Sequence, residues 1–239
     1  MKKLLLGNEA IARGAYEAGV RVSSAYPGTP STEINENVAT YPEIYSEWAP
    51  NEKVAVEVAL GAAVSGARSL ACMKHVGLNV AADPFFTATY TGVNAGMVVV
   101  VADDPGMHSS QNEQDTRMLA RASHAPVLDP SNSQECKDFL KLAYEISEKY
   151  DTPVILRVTT RIAHARTLVE LGERVEVPLR EYKRDIKKYV SMPANMIARH
   201  LYVEEREKKL AEDANTLPIN RIEWADRKIG VITSGAAYN

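Results

Sequence analysis

Three polar segments hold the side chains best suited to chemistry: Tyr26-Pro27-Gly28-Thr29-Pro30-Ser31-Thr32, Lys74-His75-Val76-Gly77-Leu78-Asn79, and the run from Asp103 to Arg117. Each follows a strand-like stretch, and ligands of parallel α/β sheets gather at the carboxyl ends of strands. One site built from all three is therefore expected. In the first segment Thr29 or Ser31 falls at the start of a predicted helix. Hydroxyls and free N–H groups there can hold a carboxylate, or simply cap the helix. In the second, Lys74, His75 and Asn79 surround Gly77, which lets a ligand approach the backbone closely, although a plain turn explains the same residues. The third, His108-Ser109-Ser110-Gln111-Asn112-Glu113-Gln114-Asp115-Thr116-Arg117, reads either as a solvated loop or as a functional one, because loops this long in compact domains often carry function. Glu52 follows Pro50-Asn51 and opens an alanine-rich helix. Taken alone, it is an acidic residue suited to the helix dipole.

Other chemistries are disfavoured. Cys72 and Cys136 form no CxxC pair and cannot supply the four thiolates of an iron–sulfur cluster; they are expected to be buried small hydrophobes. The five histidines show no HExxH or similar spacing, so no metal site is expected from them. A net charge of -3 and a pI near 6.0 argue against nucleic acid as the main partner. No apolar run approaches the roughly 20 residues of a membrane span. Met1-Lys2-Lys3-Leu4-Leu5-Leu6-Gly7 is too short in its apolar part for a signal core, which predicts a cytoplasmic protein.

The elements that must position these residues alternate between strand-like and helix-like runs, predicting an α/β fold with a parallel sheet flanked by helices on both faces. Hydrophobic residues at 45% and charged residues at 25% fit a soluble globular chain, and 239 residues suffice for one large domain or a domain with an appendage. Helices are expected over Asn8–Ala18, closed by Gly19, over Ser31–Ala39, over the small-residue run Glu52–Ala67, and over Ser133–Tyr150. Strands are expected at Val20–Ser24, Ser69–Met73, Met97–Ala102 and Pro153–Val158. The third holds four consecutive valines and is the best candidate for a buried central strand. Lys74–Asn79 reads as a loop leading into the next helix. Beyond Gly172 the composition shifts toward Lys, Arg and Glu, predicting a connector over 173–227 with strand pieces and a charged helix, Ala194–Ala214. Lys228–Gly235 reads as the first strand and turn of a further α/β unit, giving units at 1–172, 173–227 and 228–239. A strand with nothing to pair with predicts that the chain is a fragment of something longer.

Several strings together resemble a known family. Glu52 is followed nine positions later by Gly61, and Gly66-Ala67 continues the small-residue run. The Tyr26–Ser31 string looks like the YP-x-TPS segment of thiamine-diphosphate-dependent 2-oxoacid:ferredoxin oxidoreductases. Met73-Lys74-His75-Val76-Gly77-Leu78-Asn79-Val80-Ala81-Ala82-Asp83-Pro84 and Ser109-Ser110-Gln111-Asn112-Glu113-Gln114-Asp115 are similar to the indolepyruvate branch, in the pyrimidine-binding domain of its large (alpha) subunit. The resemblance covers nearly the whole chain, from Asn8 to the Val231–Gly235 segment.

The resemblance implies oxidative decarboxylation of aryl 2-oxoacids such as indolepyruvate to an acyl-CoA, with ferredoxin as electron acceptor. It implies that Glu52 is the catalytic carboxylate that hydrogen bonds N1′ of the cofactor's aminopyrimidine, so that N4′ can act as a base. Burial would help Glu52 share a proton at neutral pH, while the helix N-terminus opposes this. Glu57 lies five residues on, turned by about 140°, and cannot face the same ligand. Gly28, Lys74, His75, Gly77 and Asn79 would line the cofactor pocket, Thr29 would take the 2-oxoacid carboxylate, and Gln111 and Arg117 would lie near the substrate. Arg161 and His164 follow a strand and face either the same rim or open surface. The family's GDG-to-Asn segment for Mg2+ and diphosphate, its cysteine runs for [4Fe-4S] clusters and its CoA elements are not found in this chain. The chain alone is thus expected to be inactive and to bind the cofactor poorly, working with a small (beta) subunit in an oligomer. The alternatives are a non-oxidative thiamine-diphosphate decarboxylase or synthase, and a non-catalytic assembly domain. A dinucleotide-binding module is disfavoured because no GxGxxG follows the first strand.

Overall fold

Val98–Val101 sit at the centre of a strand in which all seven residues, Met97–Asp103, are buried, as a strand covered on both faces requires. The computed structural model describes residues 1–238. Its strands are β1 (Lys2–Leu6), β2 (Val22–Ala25), β3 (Tyr45–Trp48), β4 (Ser69–Lys74), β5 (Met97–Asp103), β6 (Val127–Leu128), β7 (Val154–Thr159) and β8 (Arg166–Glu170). Six of them form one sheet in the order β3-β2-β4-β5-β7-β6, and every neighbouring pair in it is parallel.

The period of two along each strand sorts side chains onto two cores. Leu70, Cys72, Val98, Val100, Leu156 and Val158 face one side. There they meet α1 (Gly7–Glu17), α2 (Thr32–Val38) and α7 (Ser133–Tyr150), through Ile11, Ala15, Ile34, Leu140 and Tyr144. Ala71, Met73, Val99, Val101 and Ile155 face the other side. They pack on α3 (Glu52–Val64), α4 (His75–Val80), α5 (Ala82–Thr91) and α6 (Thr116–Ala122). The small side chains of α3 bury Ala55, Val56, Ala59 and Ala63, letting its axis lie close to β2 and β4. The α7 helix has the bounds expected from its sequence, capped by Asn132, whose side chain accepts from the Glu135 N–H. Both cysteines are buried, and desolvation pushes their thiols well above the ordinary value.

The fold departs from the sequence expectations in four places. The leucines at the N-terminus form β1, which pairs antiparallel with β8 from Lys2↔Glu170 to Leu6↔Arg166, a partner too distant in sequence to be anticipated. The β3 strand went unpredicted because it is a short edge strand with exposed Tyr45 and Trp48 and little alternation. Lys74–Asn79 is no loop: β4 ends at Lys74, which serves as the extended N-cap of α4, and the helix starts at the next residue. The fourth departure lies beyond Gly172.

No strand forms there among the described residues of the connector. An irregular stretch is laid onto the body instead. The Gly172 N–H donates to Glu17, Arg174 to the carbonyls of Tyr16 and Val20, and Arg180 to Glu148. Gly66, at φ +98, presses its Cα against Arg180, where a Cβ would lie 1.8 Å from the Arg180 carbonyl oxygen. After the single turn of α9 (Ile186–Tyr189) comes the charged helix α10 (Pro193–Ala214). Asp151 holds this region through Lys188 at 2.8 Å and Arg199 at 3.1 Å. The expected strand at Lys228–Gly235 is absent: the segment is irregular, with Ile229, Val231 and Ile232 exposed, because no neighbouring strand offers backbone partners. Gly235–Tyr238 is a short 3-10 helix, and Asn239, the last residue of the expected third unit, lies outside the described residues. No described helix is long and apolar enough to cross a membrane.

Candidate functional site

The chain leaves β2 outward to β3, then returns to β4 and continues to β5 on the other side. The segments after β2 and β4 therefore diverge, opening a crevice at the carboxyl ends of these strands, the usual ligand position in such sheets. Glu52, the first residue of α3, is only 9% exposed. Asn51 caps the helix by accepting from the Val54 N–H at 3.0 Å, which fixes the turn that aims Glu52. The Glu52 side chain lies flat against α4 at Gly77. A Cβ at Gly77 would sit 2.5 Å from Glu52 Oε1 and 2.6 Å from its Cγ, so a side chain there would displace the carboxylate. Among the described residues, no donor hydrogen bonds the Glu52 carboxylate, which stands at the α3 N-terminus, a favourable place for a negative charge. Glu57 is exposed on another face of α3, as the helical rotation demands. Gly61 is exposed, and a Cβ there would meet nothing within 4 Å.

The three predicted segments do converge. Gly28 packs on the aliphatic stem of Lys74, whose Cδ would lie 3.1 Å from an added Cβ. Lys74 Nζ donates to the Ser109 carbonyl at 3.0 Å, and Ser109 Oγ donates to the Thr29 carbonyl at 3.4 Å. His75, 1% exposed, sets Nε2 at 3.1 Å from the Asn112 carbonyl oxygen. A carbonyl only accepts, so Nε2 carries the proton there, and the buried Nδ1 has no partner. Thr29 is exposed with its hydroxyl uncommitted, whereas Ser31 donates its hydroxyl back to the Gly28 carbonyl at 2.7 Å.

Other expected residues are not drawn into this group. Asn79 and Gln111 are exposed and their side chains make no hydrogen bond among the described residues. Arg117 is bound by Asp115, with Nη2 at 2.8 Å, and faces Asp129 at 4.0 Å. Arg161 is exposed, and exposed His164 stands 3.7 Å from Glu33. An open groove of about 1420 Å³ lies elsewhere, between α10, β6, α7 and the C-terminal segment; Arg117 lines it and Glu52 does not.

Two acidic residues that the sequence reading passed over organise the polar loop. The buried strand β5 ends at Asp103, Asp104 follows directly and is buried as well, and two charges there needed an explanation. Asp103, fully buried, accepts from Thr116 N–H at 3.1 Å and from Arg157 Nε at 2.8 Å, and Arg157 continues to Asp129 at 3.1 Å. Asp104 accepts from Ser109 N–H at 2.8 Å, Ser110 Oγ at 2.8 Å and Thr160 Oγ1 at 2.9 Å. Burial pushes the Asp104 carboxyl upward, but these donors, joined by the His108 N–H, outweigh it and hold the group well below the usual aspartate range. The loop is thus clamped at both ends by two consecutive carboxylates, the last residue of β5 and the one after it.

Residues 13–219 match the family described as pyruvate flavodoxin/ferredoxin oxidoreductase, thiamine diphosphate-binding. Indolepyruvate oxidoreductase subunit IorA of Pyrococcus horikoshii is 50% identical over 99% of this chain and 38% of its own length. IorA of Methanothermobacter marburgensis is 49% identical over 98% of this chain and 39% of its own. The 2-oxoglutarate synthase subunit KorA of Methanothermobacter thermautotrophicus is 31% identical over 72% of this chain and 48% of its own. The chain therefore spans about two fifths of the length of the IorA relatives. Among solved structures, 2-oxoglutarate:ferredoxin oxidoreductase from Magnetococcus marinus shares the fold, with a TM-score of 0.72 at 20% identity, covering 88% of this chain and 45% of that one.

Proposed function

Because the chain belongs to the thiamine-diphosphate-binding pyruvate flavodoxin/ferredoxin oxidoreductase family, we propose that it forms the aminopyrimidine side of the cofactor site in an enzyme that oxidatively decarboxylates aryl 2-oxoacids. The observation that carries this reading is Glu52: a nearly buried carboxylate, flattened on Gly77, that no described residue hydrogen bonds. A ring nitrogen able to share a proton would pair with it. The names and identities of the IorA relatives support indolepyruvate as the substrate type.

Thiamine diphosphate, when bound, supplies the carbanion-stabilising chemistry that lets a 2-oxoacid lose carbon dioxide. The protein's part is positional. Glu52 holds a proton with the pyrimidine nitrogen, and Gly77 leaves the room that carboxylate occupies. Gly28, Lys74 and His75 wall the pocket, with Asn79 at its edge, and the His75 Nδ1 offers a buried acceptor to a donor group. The free hydroxyl of Thr29 takes the substrate carboxylate. Gln111 and Arg117 act at the rim, and Arg117 must leave Asp115 to do so. The remaining machinery, comprising Mg2+ for the diphosphate, [4Fe-4S] clusters and the CoA site, belongs to parts of the enzyme outside residues 1–172. A small (beta) subunit, ferredoxin, an oligomeric assembly and the cytoplasm complete the proposal.

Glu52→Gln in the complete enzyme tests it. Glutamine keeps the shape and a hydrogen bond but cannot share a proton, so cofactor affinity should stay within a few fold. Turnover of indolepyruvate, followed as ferredoxin reduction, should fall by about 10² to 10⁴. Wild-type turnover in that variant would remove Glu52 from the mechanism.

A further inference from the structure

The turn that closes α6 carries a histidine where helices usually place glycine. Ala125 N–H reaches the Ala120 carbonyl at 3.0 Å and His124 N–H reaches Arg121 at 3.2 Å, the hydrogen-bond pattern of a helix ended by a left-handed residue. His124 adopts that conformation at φ +59, which a side chain enters reluctantly. The turn requires the conformation but not the imidazole. What the imidazole meets is α10: its Nδ1 stands 2.7 Å from Glu207 Oε2. Glu204, three residues earlier on α10, brings a second carboxylate, and the ligand atoms of His124, Glu204 and Glu207 all lie within 4.8 Å of one another. His200 flanks them, with Nε2 at 3.7 Å from Glu204 Oε1 and Nδ1 at 2.9 Å from the Tyr90 hydroxyl.

We propose that His124, Glu204 and Glu207 form a binding site for a divalent transition metal of the zinc class, stapling α10 to the turn after α6. One imidazole and two carboxylates suit zinc, cobalt or nickel better than calcium or magnesium, which favour all-oxygen sites. Ligand atoms around tetrahedral zinc lie about 3.4 Å apart, so the present spacing needs only rotation of two half-exposed glutamates. Water takes the remaining position. His200, itself held by Tyr90, orients the Glu204 carboxylate from outside, as partners behind metal ligands do. Two carboxylates three residues apart on a helix repel one another. Among the described residues, no lysine or arginine lies within ion-pair distance of either of them: Lys208 and Arg206 attract Glu204 and Glu207 only at longer range, and Lys208 is held by Glu205. A cation between them removes that repulsion.

The test is titration of zinc chloride into the 239-residue chain by calorimetry, with cobalt absorption spectra as a report on geometry. One saturable equivalent is expected. At a hundredfold excess over the dissociation constant, the melting temperature should rise by about 5 to 10 °C, and magnesium should not substitute. His124→Gly relieves the left-handed strain, so that variant should fold at least as well as the parent yet lose zinc binding, and Glu204→Gln/Glu207→Gln should lose it too. Absence of saturable binding, equal binding of magnesium, or zinc affinity unchanged in these variants overturns the site.

Discussion

Gly77→Ala separates the fold from the chemistry of the candidate site. The added Cβ would stand 2.5 Å from Glu52 Oε1, 2.6 Å from Cγ and 2.8 Å from Cδ, and all three atoms belong to the outer part of one side chain. Moving that carboxylate out to ordinary contact takes about 1 Å, achieved by rotation and without disturbing backbone. Overpacking in a rigid core typically costs about 1–3 kcal/mol, but here the flexible end of Glu52 yields. Alanine in place of glycine within a helix gains about 1 kcal/mol. The two effects oppose, so the melting temperature should change by no more than about 2 to 4 °C. Function should not survive as well. A charge-assisted hydrogen bond is worth about 1.5–3 kcal/mol, so its loss should weaken thiamine diphosphate binding by about ten- to hundredfold. Turnover should fall with it, since a misplacement of about 1 Å can cost a hundredfold. Calorimetric unfolding, cofactor titration and ferredoxin-reduction rates on the complete enzyme give the three readouts. Gly61→Ala is the control: nothing lies within 4 Å of its Cβ, so neither stability nor cofactor binding should suffer. Unchanged cofactor affinity and turnover in Gly77→Ala would refute the role given to Glu52. A collapse in stability would show that Gly77 serves packing instead.

The loop clamp yields two further predictions. Asp104→Asn removes the charge that Ser109, Ser110 and Thr160 donate to and presents an amide donor to other donors. It should cost about 1–3 kcal/mol and raise hydrogen exchange across residues 105–114, and an unaltered exchange profile would contradict the clamp. Acid stability follows from the depressed carboxyls. In Asp104, Glu17 and Glu148, burial pushes the carboxyl upward, but hydrogen bonds prevail and lower each one, helped in Glu17 and Glu148 by nearby Arg or Lys partners. A carboxyl lowered by folding contributes stability that is complete above its unfolded value, near about 4, and is lost as pH falls toward the folded value. Urea midpoints should therefore be flat between about pH 5 and 8 and fall steeply below about pH 4; a midpoint already falling between pH 7 and 5 would contradict this.

Much of the site was legible in sequence because it depends on local order. Glu52 after an asparagine cap, the valine strand, and three polar segments each following a strand are all short-range patterns. A parallel α/β topology then brings the ends of neighbouring strands together whatever the details. The opposed directions of Glu52 and Glu57 follow from helical rotation alone. Other features needed the tertiary structure. Gly77 read either as a point of close ligand approach or as a turn residue, but its use is to make room for a side chain from another helix, and no local signal encodes that contact. Arg117 looked free to meet substrate, yet Asp115 and Asp129 hold it, one of them from a different strand end. The β1 strand found its partner only at β8, and the connector lies on the body through Glu17, Glu148 and Asp151, each far away in sequence. The five histidines showed no metal spacing because His124 meets Glu204 and Glu207 only when α10 folds back. Periodicity and capping report what a segment does by itself, whereas ion pairs and close contacts between distant segments exist only once the chain has closed.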